Sequence, residues 1–143
     1  MILIVDASVA VKWVVEEHLR DRARTLLDDA HELCAPDFVL VESASALFKK
    51  AKKQEISPDQ ASEGAAAIAR YFNILHPAAE LVERSMKIAF ELDHSVYDCL
   101  YLACAEAWGG VVVTADHRFE AKASAKNLGY RIMRLEAMPD IPV

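Results

Sequence analysis

Ile2-Leu3-Ile4-Val5-Asp6 opens the chain, and Val111-Val112-Val113-Thr114, followed by Asp116, answers it near the other end. Runs of apolar residues that do not alternate with polar ones are the pattern of strands buried on both faces of a parallel sheet. Open α/β sheets place their ligands at the carboxyl ends of strands, which is where Asp6 and Asp116 then stand. Two more acids are hard to explain by surface chemistry. Glu42 interrupts the helical apolar pattern Leu40, Ala44, Leu47, Phe48, Ala51, and Asp98 opens an apolar helix. If all four converge, they repel one another unless a hard cation lies among them, and ligation by oxygen alone suits Mg²⁺ or Mn²⁺. The chain is therefore a candidate metal-dependent phosphodiesterase.

Outward from these runs, periodicity predicts strands over 2–5, 33–35, 73–76, 111–114 and 130–135, with helices over 8–15 and 20–30, a long helix from 37 through at least 51, and helices over 57–71, 78–92, 96–108 and 117–127. Ser57-Pro58 supplies an N-cap with proline at the first helical position, and Gly109-Gly110 marks a break. Five strands alternating with helices predict a three-layer α/β/α fold around a five-stranded parallel sheet. One domain over residues 1–136 is expected, with 137–143, which carries Pro139 and Pro142, as a loosely held C-terminal tail.

Composition narrows the function. A chain of 143 residues that is 54% hydrophobic buries a sizeable core by itself. It lacks an apolar window long enough to span a membrane and lacks a signal peptide, so a cytoplasmic protein without a membrane partner is expected. Cys34, Cys99 and Cys104 form no C-x-x-C pair and read as reduced core residues. A net charge of −6 argues against a general nucleic-acid coating protein, although Lys49-Lys50-Ala51-Lys52-Lys53 is a local basic segment. At about 100° per residue, Glu42, Ala46, Lys49 and Lys53 share one helical stripe, which offers phosphates flanking Glu42 a cationic track. A solvated helix end explains the same lysines.

The acids also have plain structural roles. Asp6 and Asp116 suit N-caps at strand-to-helix junctions, and Ser95-x-x-Asp98 matches a capping box. Glu42 has no such role. Of His18, His31, His76, His94 and His117, only His117 is near the proposed chemistry by sequence, and the five are not spaced as a zinc site. Trp13, Tyr71, Phe72 and Trp108 suit either core or interface.

Taken together, Ile4-Val5-Asp6-Ala7-Ser8, the helix carrying Glu42, Ser95-Val96-Tyr97-Asp98-Cys99-Leu100-Tyr101-Leu102-Ala103 and Val113-Thr114-Ala115-Asp116-His117-Arg118-Phe119 resemble a PIN domain, most of all the ribonuclease toxins of type II toxin–antitoxin modules (VapC-like). The resemblance spans essentially the whole chain. It implies an Mg²⁺- or Mn²⁺-dependent endoribonuclease with Asp6, Glu42, Asp98 and Asp116 as catalytic and metal-binding residues. Ser8 and Thr114 are then hydroxyls that orient carboxylates, and the helical stripe makes Lys49 and Lys53 the expected RNA contacts. It also implies in-line attack by metal-activated water, a cognate antitoxin protein and a homodimer. Many relatives have a further Asp or Asn after the fourth motif, where this chain has Arg118-Phe119-Glu120, so the number of ions and a part for Glu120 stay open. A haloacid-dehalogenase-like phosphatase would need a second Asp where Ser8 stands. A receiver domain would need adjacent acids after its first strand. A catalytically silent PIN-like interaction module is the remaining alternative.

Overall fold

The computed structural model describes residues 1–28 and 30–139. Five strands form one parallel sheet: β1 (Ile2–Val5), β2 (Glu32–Pro36), β3 (Ile74–His76), β4 (Val111–Thr114) and β5 (Ile132–Arg134), in the order β3-β2-β1-β4-β5. The most apolar strands hold the centre, where both faces are covered. Leu3, Ile4, Val5, Val112 and Val113 are fully buried, and the register pairs Ile4 with Cys34 on one side and with Val112 on the other.

Helices fill the crossovers: α1 (Ala7–Ala10), α2 (Arg20–Arg24), α3 (Phe38–Lys52), α4 (Pro58–Tyr71), α5 (Val82–Leu92), α6 (Val96–Trp108) and α7 (His117–Ala125). The chain reverses direction across the sheet after β3, so right-handed crossovers send α1–α4 to one face and α5–α7 to the other. The predicted helix over 8–15 is α1 followed by a 3₁₀ turn at Val11–Trp13, and that over 20–30 is α2 followed by a 3₁₀ turn at Thr25–Leu27. Among the described residues no helix is long and apolar enough to cross a membrane.

Trp13 lies in the core with its indole N–H donated to the Ala23 carbonyl at 2.9 Å, and it packs edge-on to Tyr71 and obliquely on Phe72. Tyr71 and Trp108 stay partly exposed, and all three cysteines are buried and free. The expected tail, 137–143, starts within the described residues. Met138 is buried, and the Arg22 guanidinium donates to its carbonyl, because the final 3₁₀ turn (Leu135–Ala137) docks beside α2. Residues 140–143 of that tail lie outside the described residues.

Two adjacent glycines are required where α6 turns into β4. Gly109 ends α6 at φ 74°, in the left-handed region, and a Cβ at Gly110 would meet Ile2 Cγ2 at 3.0 Å and the Ile2 carbonyl oxygen at 3.1 Å. Gly109→Ala should cost roughly 1–2 kcal/mol from forcing a Cβ into the left-handed region. Urea denaturation measures this, and an unchanged midpoint would contradict it.

Candidate active site

The reversal in strand order opens a crevice between the carboxyl ends of β1 and β4, and both strands end in an acid there. Asp6 caps α1, accepting from the Val9 N–H at 3.3 Å through Oδ1, and the Ser8 hydroxyl donates to the same oxygen at 2.5 Å. Asp116 caps α7, accepting from the N–H groups of Arg118 (3.0 Å) and Phe119 (3.1 Å). The hydroxyls lace the two strand ends together. Ser8 Oγ accepts from the Ala115 N–H at 3.0 Å, Thr114 Oγ1 accepts from the Asp116 N–H at 3.0 Å, and the two oxygens lie 3.5 Å apart. Capping and converging are the same act here, because the cap fixes each carboxylate at the strand end.

The other two acids arrive from the helices. Glu42, one turn into α3, accepts from the Tyr101 hydroxyl of α6 at 2.7 Å. Asp98 does not complete the expected capping box. Ser95 Oγ accepts from the Tyr97 N–H, and the Asp98 carboxylate turns back to His94 Nε2 at 2.6 Å. The His94 ring lies parallel to Phe119 of α7, with centroids 5.1 Å apart, and so is held from the opposite side. One ligand atom each from His94, Asp98 and Asp116 lie within 4.8 Å of one another. An imidazole with two carboxylates fits a divalent ion of the Mg²⁺ to Mn²⁺ to Zn²⁺ range, and the oxygen-rich surroundings favour the harder ions.

Electrostatics record what gathering these acids costs. Burial raises the Asp6 carboxyl from 3.8 to about 7, against the hydrogen bonds from Ser8 and Thr114 and with the repulsion of Asp98 and Glu42. Burial also raises Glu42, opposed by the Tyr101 bond and reinforced by Asp98. Asp98 is raised by burial, opposed by His94 and reinforced by Asp116. Tyr101 is itself held well above its usual value by burial and by Glu42 and Asp6, so it remains a donor to Glu42. The four acids line one cleft of about 410 Å³ together with Ser8, Lys12, Glu17, Ala46 and Lys50.

A family model for the PIN domain matches residues 3–125. The chain belongs to the PIN-domain family. Ribonuclease VapC3 of Pyrobaculum aerophilum is 32% identical over 127 residues, covering 87% of this chain and 97% of that protein. Ribonuclease VapC9 of Mycobacterium tuberculosis is 32% identical over 127 residues, covering 87% of this chain and 93% of its own length. Among solved structures, PAE2754 from Pyrobaculum aerophilum superposes with a TM-score of 0.71 at 22% identity, covering 95% of this chain and 93% of that one. Mycobacterium tuberculosis VapC20, titled a sarcin-ricin loop cleaving toxin, gives 0.66 at 20% identity, covering 85% and 94%. The last two likenesses are of fold.

Within this PIN domain the sequence expectations fare unevenly. Asp6, Glu42, Asp98 and Asp116 come together, with Ser8 and Thr114 beside them. Glu120 does not join them: it accepts from Ser124 at 3.1 Å and from Arg134 at 3.2 Å. His117 pairs with Glu136 at 2.9 Å, so the histidine at the site is His94. Its signal was faint, since His94 lies between α5 and α6, just after Asp93 at φ 51°, and the spacing from His94 to Asp98 spans a helix start. Lys49 and Lys53 are exposed and do not line the cleft, whereas Lys50 does. Lys50 is drawn there by Glu17, 2.7 Å away on the segment after α1, which helix geometry alone does not reveal.

The raised carboxyls set a pH dependence. Asp6 is protonated below about 7 when folded but only below 3.8 when unfolded, so the folded state holds the extra proton between those values. Its stabilising contribution is full at the acid end and lost as pH rises through about 7, by at most about 4 kcal/mol. Glu42 and Asp98 act in the same direction. In EDTA the protein should melt higher near pH 5 than near pH 8. Asp6→Asn, which keeps the cap, should remove much of that difference, and a wild type that melts higher at pH 8 would contradict the raised carboxyls.

Proposed function

We propose that this PIN domain is the endoribonuclease toxin of a toxin–antitoxin pair, cleaving RNA phosphodiesters with Mg²⁺ or Mn²⁺. The observation that carries it is the convergence of Asp6, Glu42, Asp98 and Asp116 in one cleft at the sheet's switch point, in a chain whose relatives are named VapC ribonucleases. Desolvated, mutually repelling carboxylates are a poor way to stabilise a fold and a good way to hold a hard cation.

In this reading Asp6, Asp98 and Asp116 hold the ion, and Glu42 does so directly or through water. A bound divalent ion supplies a water of lowered pKa and neutralises charge developing on the phosphate. The remaining roles belong to the chain. Ser8 fixes the Asp6 carboxylate, Thr114 holds the Asp116 backbone N–H at the strand end, and Tyr101 fixes Glu42. His94 aims Asp98 and adds a nitrogen donor beside it. Lys49 and Lys53, exposed along α3 beyond Glu42, offer a track for more distant phosphates.

The same cleft suits a cognate antitoxin protein that presents arginine, since guanidinium pairs bidentately with carboxylates such as Asp6, Asp98 or Asp116. A homodimer through the exposed apolar stripe Val82, Met86 and Phe90 of α5, and a cytoplasmic place of action, complete the proposal.

Purified protein should cleave RNA with Mn²⁺ or Mg²⁺ and not in excess EDTA, and Asp98→Asn should lose at least a hundredfold of that activity, on the order expected for a lost metal ligand or its electrostatic equivalent. Expressed alone in a bacterial host, the wild type should arrest growth and Asp98→Asn should not. Cleavage that persists in EDTA would sink the proposal. A separate prediction addresses His94: replacing it with alanine should weaken Mn²⁺ binding by about tenfold or more, as outer-shell losses do. Electron paramagnetic resonance of Mn²⁺ reads this without any turnover, and unaltered affinity would reduce His94 to a packing residue.

A further inference from the structure

The cleft that gathers the acids also holds two ammonium groups that the proposed metal chemistry does not use. Lys12, in the 3₁₀ turn that continues α1 away from Asp6, is a buried lysine whose side chain is only 10% exposed. Its Nζ donates to Glu17 at 3.2 Å and to the His18 carbonyl at 2.8 Å. Lys50 comes from α3, two turns beyond Glu42, and its Nζ meets the other oxygen of Glu17 at 2.7 Å. Glu55, half exposed and 3.5 Å away, is a weaker second partner for Lys50. One carboxylate is thus shared by two cations.

Burial alone would raise Glu17, but the two lysines overcome it and hold the carboxyl below its usual range. Two features argue that this triad is more than a clamp on the segment after α1. It faces the cleft rather than the core, since Lys12, Glu17 and Lys50 line the same cavity as Asp6, Glu42 and Asp98. It also leaves donors over, because an ammonium has three, and among the described residues Lys12 gives two, to Glu17 and His18. A polyanion crossing the acidic centre needs compensation on the flank, and the triad is where the cleft supplies fixed positive charge.

We propose that Lys12 and Lys50 form a phosphate-binding subsite on the flank of the acidic centre, held in place by Glu17, that takes a backbone phosphate of RNA next to the one cleaved. This rests on the ribonuclease reading. Phosphate oxygens replace part of what Glu17 supplies, and Glu17 keeps both ammonium groups parked at the cleft wall when no RNA is bound. Glu17 therefore opposes binding, whereas in a clamp it would only stabilise.

The test is binding of a short single-stranded RNA in EDTA, followed by fluorescence polarisation at several salt concentrations. Glu17→Gln should tighten binding by about 3- to 10-fold and steepen the salt dependence by about 0.7 in slope, the value for one more neutralised phosphate on a single strand. Lys50→Gln should weaken binding by a similar factor and flatten the slope. Lys50 is the safer lysine to change, because its side chain is 25% exposed and Lys12 is needed by the buried turn. Thermal melts confirm that each variant is folded. A folded Glu17→Gln that binds RNA no more tightly than wild type, or a folded Lys50→Gln that binds as well, overturns the subsite and leaves a clamp. Cleavage by the wild type in Mn²⁺, measured separately, scores the ribonuclease reading, so the two can fail independently.

Discussion

The pairing of β1 with β4 is the constraint on which the rest of the molecule depends. The two strands are separated by most of the chain, yet Leu3, Ile4 and Val5 lie in register with Val111, Val112 and Val113, and the Asp6 N–H still reaches the Val113 carbonyl at 3.3 Å. That last bond carries the pairing to the lip of the sheet. Beyond it each strand breaks into a helix capped by its own aspartate, so the register of the ladder sets the relation between Asp6 and Asp116. A slip of one residue would move one carboxylate to the opposite face of the sheet from the other.

The same edge concentrates an electrostatic conflict. Asp6 is almost fully buried, Glu42 and Asp98 are part-buried, and all three carboxyls are pushed upward chiefly by loss of water. The fold answers with directed donors: Ser8, the Val9 N–H, Tyr101 and His94 each reach a carboxylate. These bonds orient the acids but do not fully offset burial. What offsets this centre lies elsewhere, in the dry valine ladder and in the Trp13, Tyr71 and Phe72 cluster.

Charge on the flank follows a different logic. Lys12 and Lys50 are placed by a shared partner, Glu17, rather than by helical phase. Stripe geometry favours Lys49 and Lys53, which lie closer in angle to Glu42, but a lysine side chain is long enough to cross most of a helix face, and a part-buried carboxylate selects among the candidates.

What the sequence by itself determined is the set of things that depend on local pattern. Unbroken valine and isoleucine runs specify buried parallel strands, Ser57-Pro58 starts α4, Gly109 stops α6, and the acids after β1 and β4 must stand at carboxyl ends because they follow strands directly. Their resemblance to PIN motifs is likewise local. Only the tertiary structure decided how Asp98 spends its hydrogen bonds, since Ser95 prefers the Tyr97 N–H and leaves the carboxylate to His94 across the start of α6. It also decided that Glu120 faces Arg134, that His117 faces Glu136, and that Met138 is docked under Arg22. The physical reason is common to all of these. Backbone pattern propagates through neighbours in sequence, whereas a polar side chain in a partly buried site bonds to whichever partner the packing of other elements brings within about 3 Å.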